Sequence, residues 1–410
     1  LKWSDRPSPQ LYGSDALYFA DCQIAALIRK YPFTSEQVPG LDPEGTAIKK
    51  FIASEHKCKW VNRRMIAKRK RFDMKAQFKA DMRSFIDKVI GLTPDLDDVY
   101  NLCDFTSGSS ILVSGKLTNL QRKIFAESWT TTSGCLQHAI PALWANAQVR
   151  DCILPGAIKC YDPVLFVERV REKVKFVNYN KIIFVTKTAM THRGIEVELL
   201  LNGYVQKGAD EYLRRCLLRA GIDLSDQSRN QHLAMLGSMG GFNPYVTIDL
   251  KAASDSLSTE VVRDFISPEW FDFLMEIRSP SYKLPSGTVA PYEKFCSMGN
   301  GFCFPLQTLI FASVCYAAGA QVGDHTRDFS VYGDDIIVRQ QVGLLVVEML
   351  RELGFSTNVD KTFLTGPFRE SCGADWYEGQ DVRPVHYAEA LVDVRQCFAL
   401  HNSCLRSARV

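Results

Sequence analysis

Apolar residues fall at helical spacing from the start of the chain. In "ALYFADCQIAALIRKY" and "MKAQFKADMRSFIDKVIGL" they recur every three or four positions, which predicts amphipathic helices, and the first 180 residues read as mainly helical. Gly/Ser-rich "FTSGSSILVSG" interrupts them as a loop. The period changes at "KIIFVTKT", Lys181 to Thr188, whose β-branched residues predict a strand. "ADEYLRRCLLRAG" returns to helical spacing and stops at Gly221. "GSMGGFNP" then leads into "YVTIDL", a short strand ending on Asp249. "SLSTEVVRDFI" predicts a helix capped by Ser256 or Ser258, with Glu260 in its first turn. "SMGNGFCFPLQTLIFASVCYAAG" is a Gly-rich loop followed by a long apolar helix, and "FSVYGDDIIV" reads as strand, tight turn and strand. "VGLLVVEMLRELG" is an amphipathic helix stopped at Gly354, after which "FSTNVDKTFL" returns as a strand. The order strand, helix, helix, hairpin, helix, strand predicts an α+β sheet with helices on one face.

With 410 residues, 46% hydrophobic and 11% aromatic, the chain is globular and long enough for two or three subdomains around a large core. No run approaches 18 uncharged apolar residues, so no membrane span is expected. The opening "LKWSDRPSPQ" lacks the apolar segment of a signal peptide, and it lacks a starting Met, which fits a fragment. The 13 cysteines carry neither a C-x-x-C pair nor a Cys/His metal spacing, which predicts reduced thiols in a cytoplasm and no structural zinc.

The net charge of +3 is unevenly spread: Lys49 to Arg83 holds thirteen Lys and Arg against Glu55, Asp73 and Asp81. Within it, "KWVNRRMIAKRKRF" interleaves Trp60 and Phe72 with Arg63, Arg64, Lys68, Arg69, Lys70 and Arg71. Such a stretch is either a solvated helix face or a contact surface for a phosphate backbone, because clustered cations release counterions from nucleic acid.

Asp334 and Asp335 pose a chemical question, since adjacent carboxylates repel and a turn needs at most one of them. Either the pair belongs to an ordinary Gly-Asp hairpin turn or it holds a cation. Asp249 ends a strand that lies beside this hairpin if the predicted sheet forms. Three carboxylates at one place are costly unless divalent cations offset their charge, and oxygen-only ligands suit Mg²⁺. Two such ions ~4 Å apart activate an attacking hydroxyl and stabilise a leaving oxygen in phosphoryl transfer.

On these residues the chain resembles a known family. "VYGDDIIV" is similar to motif C of viral RNA-dependent RNA polymerases, and "VTIDLKAASDSLS" to motif A. More narrowly, "DLKAASDS", "LPSGTV", "YEKFCSMGNGF", "LIFASV", "VYGDDII" and "GPFRESCG" resemble, in order and spacing, the replicase of leviviruses, the single-stranded RNA bacteriophages. The resemblance covers at least Lys187 to Val385.

It implies that Asp249, Asp334 and Asp335 are the metal-binding aspartates, holding two Mg²⁺ ions with Mn²⁺ as the alternative. Asp255 matches the acid that senses the ribose 2′-hydroxyl, the lesser alternative being a helix N-terminal acid. "SMGNGF" resembles motif B, so Gly299 and Asn300 are expected at the nucleotide, where glycine lets backbone approach without a Cβ. Cys303 and Gln307 depart from the common Thr and Asn there. "FVTKTAMTHRGIEVE" resembles motif F, which assigns Lys187 and Arg193 to the incoming triphosphate. Met190 and His192 stand where the levivirus pattern tends to have Lys and Asp. Lys361 in "NVDKTF" matches the motif D lysine, a candidate general acid for the pyrophosphate leaving group, or else is an exposed strand lysine. "GPFRESCG" resembles motif E, with Arg369 expected on a phosphate or beside the neighbours of Glu370.

The implied fold is an α+β right-hand polymerase with an RRM-like antiparallel palm sheet. Residues 1–240 would be fingers and RNA-binding region, 241–375 the palm, and 376–410 a partial, apparently truncated thumb. The implied activity is RNA-templated RNA synthesis from NTPs in the cytoplasm of a bacterial host, replicating a viral positive-strand genome. The implied partners are template and product RNA, the host translation elongation factors Tu and Ts, and a ribosomal protein, with no membrane. A reverse transcriptase is disfavoured by Gly333 and by the second motif A acid. A non-catalytic RNA-binding remnant is disfavoured by the intact aspartate triad.

Overall fold

In the computed structural model, the described residues are 7–33, 36–69, 76–115, 118–154, 162–296, 298–387 and 391–407. The N-terminal part is helical, as its periodicity predicts: α1 (Asp15–Lys30), α2 (Pro43–Lys68), α3 (Ala76–Ile90), α4 (Leu96–Asn101) and α5 (Leu120–Ile124) precede the short strand β1 (Trp129–Thr131). Next come α6 (Ser133–Ala145), α7 (Ala147–Ile153), α8 (Pro163–Lys173) and β2 (Val174–Phe176). Side chains cap several of these helices: the Asp42, Thr132 and Asp162 oxygens accept from N–H groups of the first turns of α2, α6 and α8.

The hairpin β3 (Tyr179–Thr188) and β4 (Thr191–Val197) is followed by α9 (Leu200–Arg219) and α10 (Ser228–Ser238). The chain then runs β5 (Tyr245–Ile248), α11 (Thr259–Phe265), α12 (Pro268–Ile277), β6 (Ser281–Lys283), β7 (Val289–Pro291), α13 (Cys303–Gln321), β8 (Phe329–Tyr332), β9 (Asp335–Arg339) and α14 (Gln340–Glu352). The last elements are β10 (Phe368–Ser371), β11 (Ala374–Tyr377), β12 (Gln380–Asp381) and α15 (Val394–Ser407).

Two sheets matter for the site. One is antiparallel, in the order β5-β9-β8. The other, β4-β3-β6-β7, joins the β3–β4 hairpin to β6 by a parallel pairing. The expected helices on one face of the antiparallel sheet are only half of what covers it. Val246, Ile248, Val331, Ile336 and Val338 enter the main core with α13 and α14, while Tyr245 and Ile337 pack with Ala234 of α10 and Trp376 of β11. Every residue of β5 is buried, so alternation gave no sign of a second covered face.

The predicted strand in "FSTNVDKTFL" does not form as a regular strand. It meets β5 and the residues just after it through isolated bridges, Thr247 to Phe363 and Leu250 to Thr357, with a 3₁₀ turn at Val359–Lys361 between them. The fourth edge of an RRM-like sheet is therefore present only as these bridges. Ser258 is the N-cap of α11 by position, but its hydroxyl makes no capping bond and is buried without a partner among the described residues.

The main core runs from Val61 and Phe78 through Trp129, Leu213 and Trp270 to Phe355, across the sequence position 240 where the fingers were expected to end. α13 passes the length and composition test for a membrane span, yet 83% of its most apolar window is buried inside the protein. Interrupting polar residues such as Gln307 and Thr308 hid this from a count of uncharged apolar runs, and both are buried with the rest of the helix. α1 packs away from the other N-terminal helices, against the β10–β11 hairpin, where Tyr18 meets Phe368 and Tyr377 at ring distances of 5.2 and 5.6 Å. Gln23 fixes the chain after that hairpin by a reciprocal pair of hydrogen bonds with the Val385 backbone. On the C-terminal segment Leu391, Val394, Phe398 and Leu405 are exposed, as the sequence pattern anticipated.

Candidate active site

The β8–β9 hairpin closes on the two residues Gly333 and Asp334, with Tyr332 paired to Asp335. Gly333 adopts φ +63°, which a two-residue hairpin turn of the II′ kind requires at its first position. A Cβ there would lie 2.3 Å from Cε2 of Phe304, so glycine is demanded by both backbone and space. The Gly333 amide donates to Thr308 Oγ1 at 3.0 Å, tying the turn to α13.

In the β5–β9 ladder Ile248 pairs with Ile336. Antiparallel register continued by one residue sets Asp249 opposite Asp335, so the two sequence motifs meet at one end of the sheet. Burial raises the Asp249 carboxyl above its usual range, Lys361 and a 2.8 Å hydrogen bond from Asn358 Nδ2 oppose that, and Asp334 and Glu370 add to it. Burial, with the charges of Asp334, Asp249 and Glu370 added to it, pushes Asp335 up to about 6. Ser371 Oγ donates to Asp335 Oδ1 at 3.3 Å, and Asn230 Nδ2 donates to the Asp335 carbonyl.

The residues thus gather oxygen donors at one end of the sheet, where burial first and neighbouring carboxylates second raise the Asp249 and Asp335 carboxyls. That donor set and that excess charge fit a divalent cation. Among the described residues, no three His, Cys, Asp or Glu side chains are drawn together closely enough to hold one. Asn358 and Ser371 hold two of the carboxylates instead.

Lys187 and Arg193 sit on the β3–β4 hairpin. Thr186 pairs with His192 and Thr188 with Thr191, which leaves Lys187 as the extra residue of a bulge, a device that re-aims a side chain. Burial and Arg193 lower the Lys187 ammonium, while Asp334 and Asp249 oppose them, so this cation lies within electrostatic reach of the acidic sheet end. Lys361 also belongs to the cluster, with its Nζ 3.0 Å from Glu370 Oε1. Gly299 takes φ +113° with its Cα against Glu196, where a Cβ would meet the carbonyl oxygen at 2.3 Å. Asn300 is buried and its Oδ1 has no partner among the described residues.

Other expectations change. Arg369 reaches no surface for a phosphate: it is 1% exposed, and its guanidinium donates to the carbonyls of Tyr245 (2.8 Å) and Gly366 (2.8 Å). It pins β10 to β5. Glu370 pairs with Lys361. In the basic stretch, Arg64 and Lys68 bind Glu352, through its carbonyl and its carboxylate, and Arg69 pairs with Glu260 and Asp264. Arg63 stays exposed, and exposed Trp60 has the Arg64 guanidinium 4.8 Å from its ring centre. Lys70, Arg71 and Phe72 lie outside the described residues. Asp255 is ion-paired with Lys294 at 2.7 Å. Neither Lys294 nor Asn358 stands out in the sequence. The available signal was a lone Lys in "YEKFCSMGNGF" and an Asn three residues before Lys361.

The family model for "RNA replicase, beta-chain" matches residues 13–410. The chain is 34% identical over 411 residues to the RNA-directed RNA polymerase subunit beta of Escherichia virus Qbeta, which covers 98% of this chain and 64% of that protein. It is 35% identical to the corresponding subunit of Enterobacteria phage SP, over 90% of this chain and 61% of that one. It is 37% identical to the RNA-directed RNA polymerase beta chain of Escherichia phage MS2, over 70% and 50% respectively. Among solved structures, an "RdRp complex" chain matches with a TM-score of 0.44 and 10% identity, covering 76% of this chain and 29% of that one, too distant a likeness to carry an argument. The chain belongs to the RNA replicase beta-chain family. It spans less than two thirds of the length of these three curated relatives.

Proposed function

We propose that this chain is the catalytic part of an RNA-directed RNA polymerase, extending an RNA strand on an RNA template from NTPs. The observation that carries the reading is the β5–β9 register, which sets Asp249 across from Asp335 beside Asp334. Family membership supports the same reading.

Asp249, Asp334 and Asp335 would hold two divalent cations, Mg²⁺ or Mn²⁺, whose chemistry is to activate the attacking 3′-hydroxyl and stabilise the leaving oxygen. Around them the chain positions the substrate. Lys187 and Arg193 orient the triphosphate from the β3–β4 hairpin. Asp255 accepts a hydrogen bond from the ribose 2′-hydroxyl, and the Gly299–Asn300 turn lets backbone approach the nucleotide. Lys361 Nζ, held by Glu370, donates a proton to the departing pyrophosphate. Positioning and charge supply most of the rate. Residues 1–240 serve as fingers and template entry, 241–375 as palm, and 376–410 as part of a thumb. The enzyme works in the cytoplasm of a bacterial host as one subunit of a complex with elongation factors Tu and Ts and a ribosomal protein. The exposed apolar residues of α15 suit burial in that assembly.

The test is primer extension by Asp334→Asn replicase. Asn keeps the shape and removes the charge, so nucleotide addition is lost while RNA binding persists. Extension at the parental rate would refute the reading.

A further inference from the structure

Lys294 has no solvent exposure, yet it carries a charge. Its Nζ lies 2.7 Å from Asp255 Oδ1 and 3.5 Å from Glu55 Oε1, and 3.8 Å from the centre of the Phe51 ring. Burial works against the ammonium, but Asp255 and Glu55 outweigh it and its pKa is raised.

The clamp is built from two distant parts of the sequence. Glu55 lies on α2, and its Oε2 accepts from the Glu293 amide at 2.7 Å. Along the same helix, Cys58 Sγ donates to the Asp255 carbonyl at 3.5 Å. Asn62 donates to the Glu293 carbonyl at 2.8 Å and accepts from the Glu260 amide at 3.0 Å. Residues 55, 58 and 62 share one helix face. The inward side of the basic helix is thus fixed to the loop and helix that follow Asp249.

A buried lysine among carboxylates is a weak source of stability, because a well-packed apolar residue avoids the desolvation cost. What the arrangement does supply is orientation. Asp255 is 28% exposed and held at Oδ1, and its Oδ2 has no hydrogen-bond partner among the described residues.

We propose that Lys294 is a positioning residue for ribose selection, holding Asp255 so that Oδ2 accepts from the 2′-hydroxyl of the incoming nucleotide. This rests on the proposed role of Asp255. A site built to bond a hydroxyl rejects the analogue without it because its buried polar group is left unpaired. That rejection requires the acceptor to be fixed, and an Asp255 free to rotate finds other partners when a deoxynucleotide is bound.

The experiment uses the full-length replicase with its partner subunits and measures kcat/KM for CTP and dCTP on a primed RNA template. Lys294→Met lowers the CTP/dCTP ratio at least about tenfold, or about 1.4 kcal/mol, through a loss on CTP. Asp255→Asn lowers it at least as far, and the double variant falls no further than Asp255→Asn, since the two act as one unit. If Asp255→Asn lowers the ratio and Lys294→Met reduces CTP and dCTP alike, the positioning role is overturned while the reading of Asp255 stands. If neither changes the ratio, the reading of Asp255 has failed. Should Lys294→Met not fold, Glu55→Gln decides. By releasing one of the anions that hold the ammonium, it lowers the ratio about threefold, roughly 0.6 kcal/mol, and an unchanged ratio overturns the proposal.

Discussion

Gly333 is pressed against Phe304: a Cβ on the glycine would fall 2.3 Å from Cε2 of the ring, so the turn that carries Asp334 rests on the first turn of α13. Gly333→Ala therefore meets a steric clash and an unfavourable φ of +63° together. The expected loss is about 2–4 kcal/mol, the sum of a strained backbone and an overpacked contact. Phe304→Leu in the same chain restores part of it. Urea unfolding of the two single variants and the double variant checks this, and strict additivity would mean that the ring contact is unimportant.

Asn358 holds Asp249 from a turn, so it would stand behind a metal ligand if Asp249 binds metal as proposed. Its Nδ2 donates to Asp249 Oδ2 and its amide to the Asp249 carbonyl, both at 2.8 Å. Groups behind a metal-binding carboxylate typically matter by about 10–100-fold in metal affinity or activity. Asn358→Ala is expected to raise the Mg²⁺ concentration for half-maximal primer extension by about tenfold, with RNA affinity unchanged. An unaltered Mg²⁺ dependence would show that Asn358 only shapes the turn.

The basic helix divides into anchoring and free cations. Arg64, Lys68 and Arg69 hold α2 to α14 and α11, so replacing them with Met lowers the unfolding midpoint and barely moves the salt dependence of RNA binding. Exposed Arg63 is the better phosphate contact. Arg63→Gln is expected to reduce the slope of log affinity against log salt by about 0.7, the share of one contact to a single strand. Titrations at several salt concentrations separate the two groups.

Arg369 is structural. Arg369→Met leaves the buried carbonyl of Tyr245 without this donor, at about 1–3 kcal/mol, and removes the bond to the exposed turn at Gly366. The readout is an earlier denaturation midpoint with an unchanged salt slope for RNA. A reduced salt slope would return Arg369 to phosphate binding.

Glu196 gives the fold a pH dependence. Burial, reinforced by Glu198 and opposed by Lys294, raises its carboxyl from 4.5 to about 8. The folded chain therefore prefers the protonated form. This contribution is fully present below pH 4.5 and is lost as pH rises through about 8. Glu196→Gln should flatten the fall in stability across that window, measured by urea midpoints from pH 5 to 8.5. A parallel curve would show that Glu196 ionises in the folded state as it does unfolded.

The candidate site was legible in the sequence because its signals are local. The order of short strands and helices, the Gly-Asp-Asp turn and the strand-ending Asp249 are local patterns, and local pattern is what backbone propensity and turn geometry write into a chain. Which charges are already paired depends on the packing of distant segments. Arg64, Lys68, Arg69 and Arg369 look alike in the sequence as cations available to phosphate, yet the first three are held by residues 191 to 288 positions away and Arg369 by the Tyr245 carbonyl 124 positions away. Lys294 and Glu55 meet across 239 residues. The covered second face of the β5-β9-β8 sheet was equally hidden, because a strand buried on both sides shows no alternation. An ion pair, a capped carbonyl or a covered face depends on what distant segment arrives, and no local period encodes that.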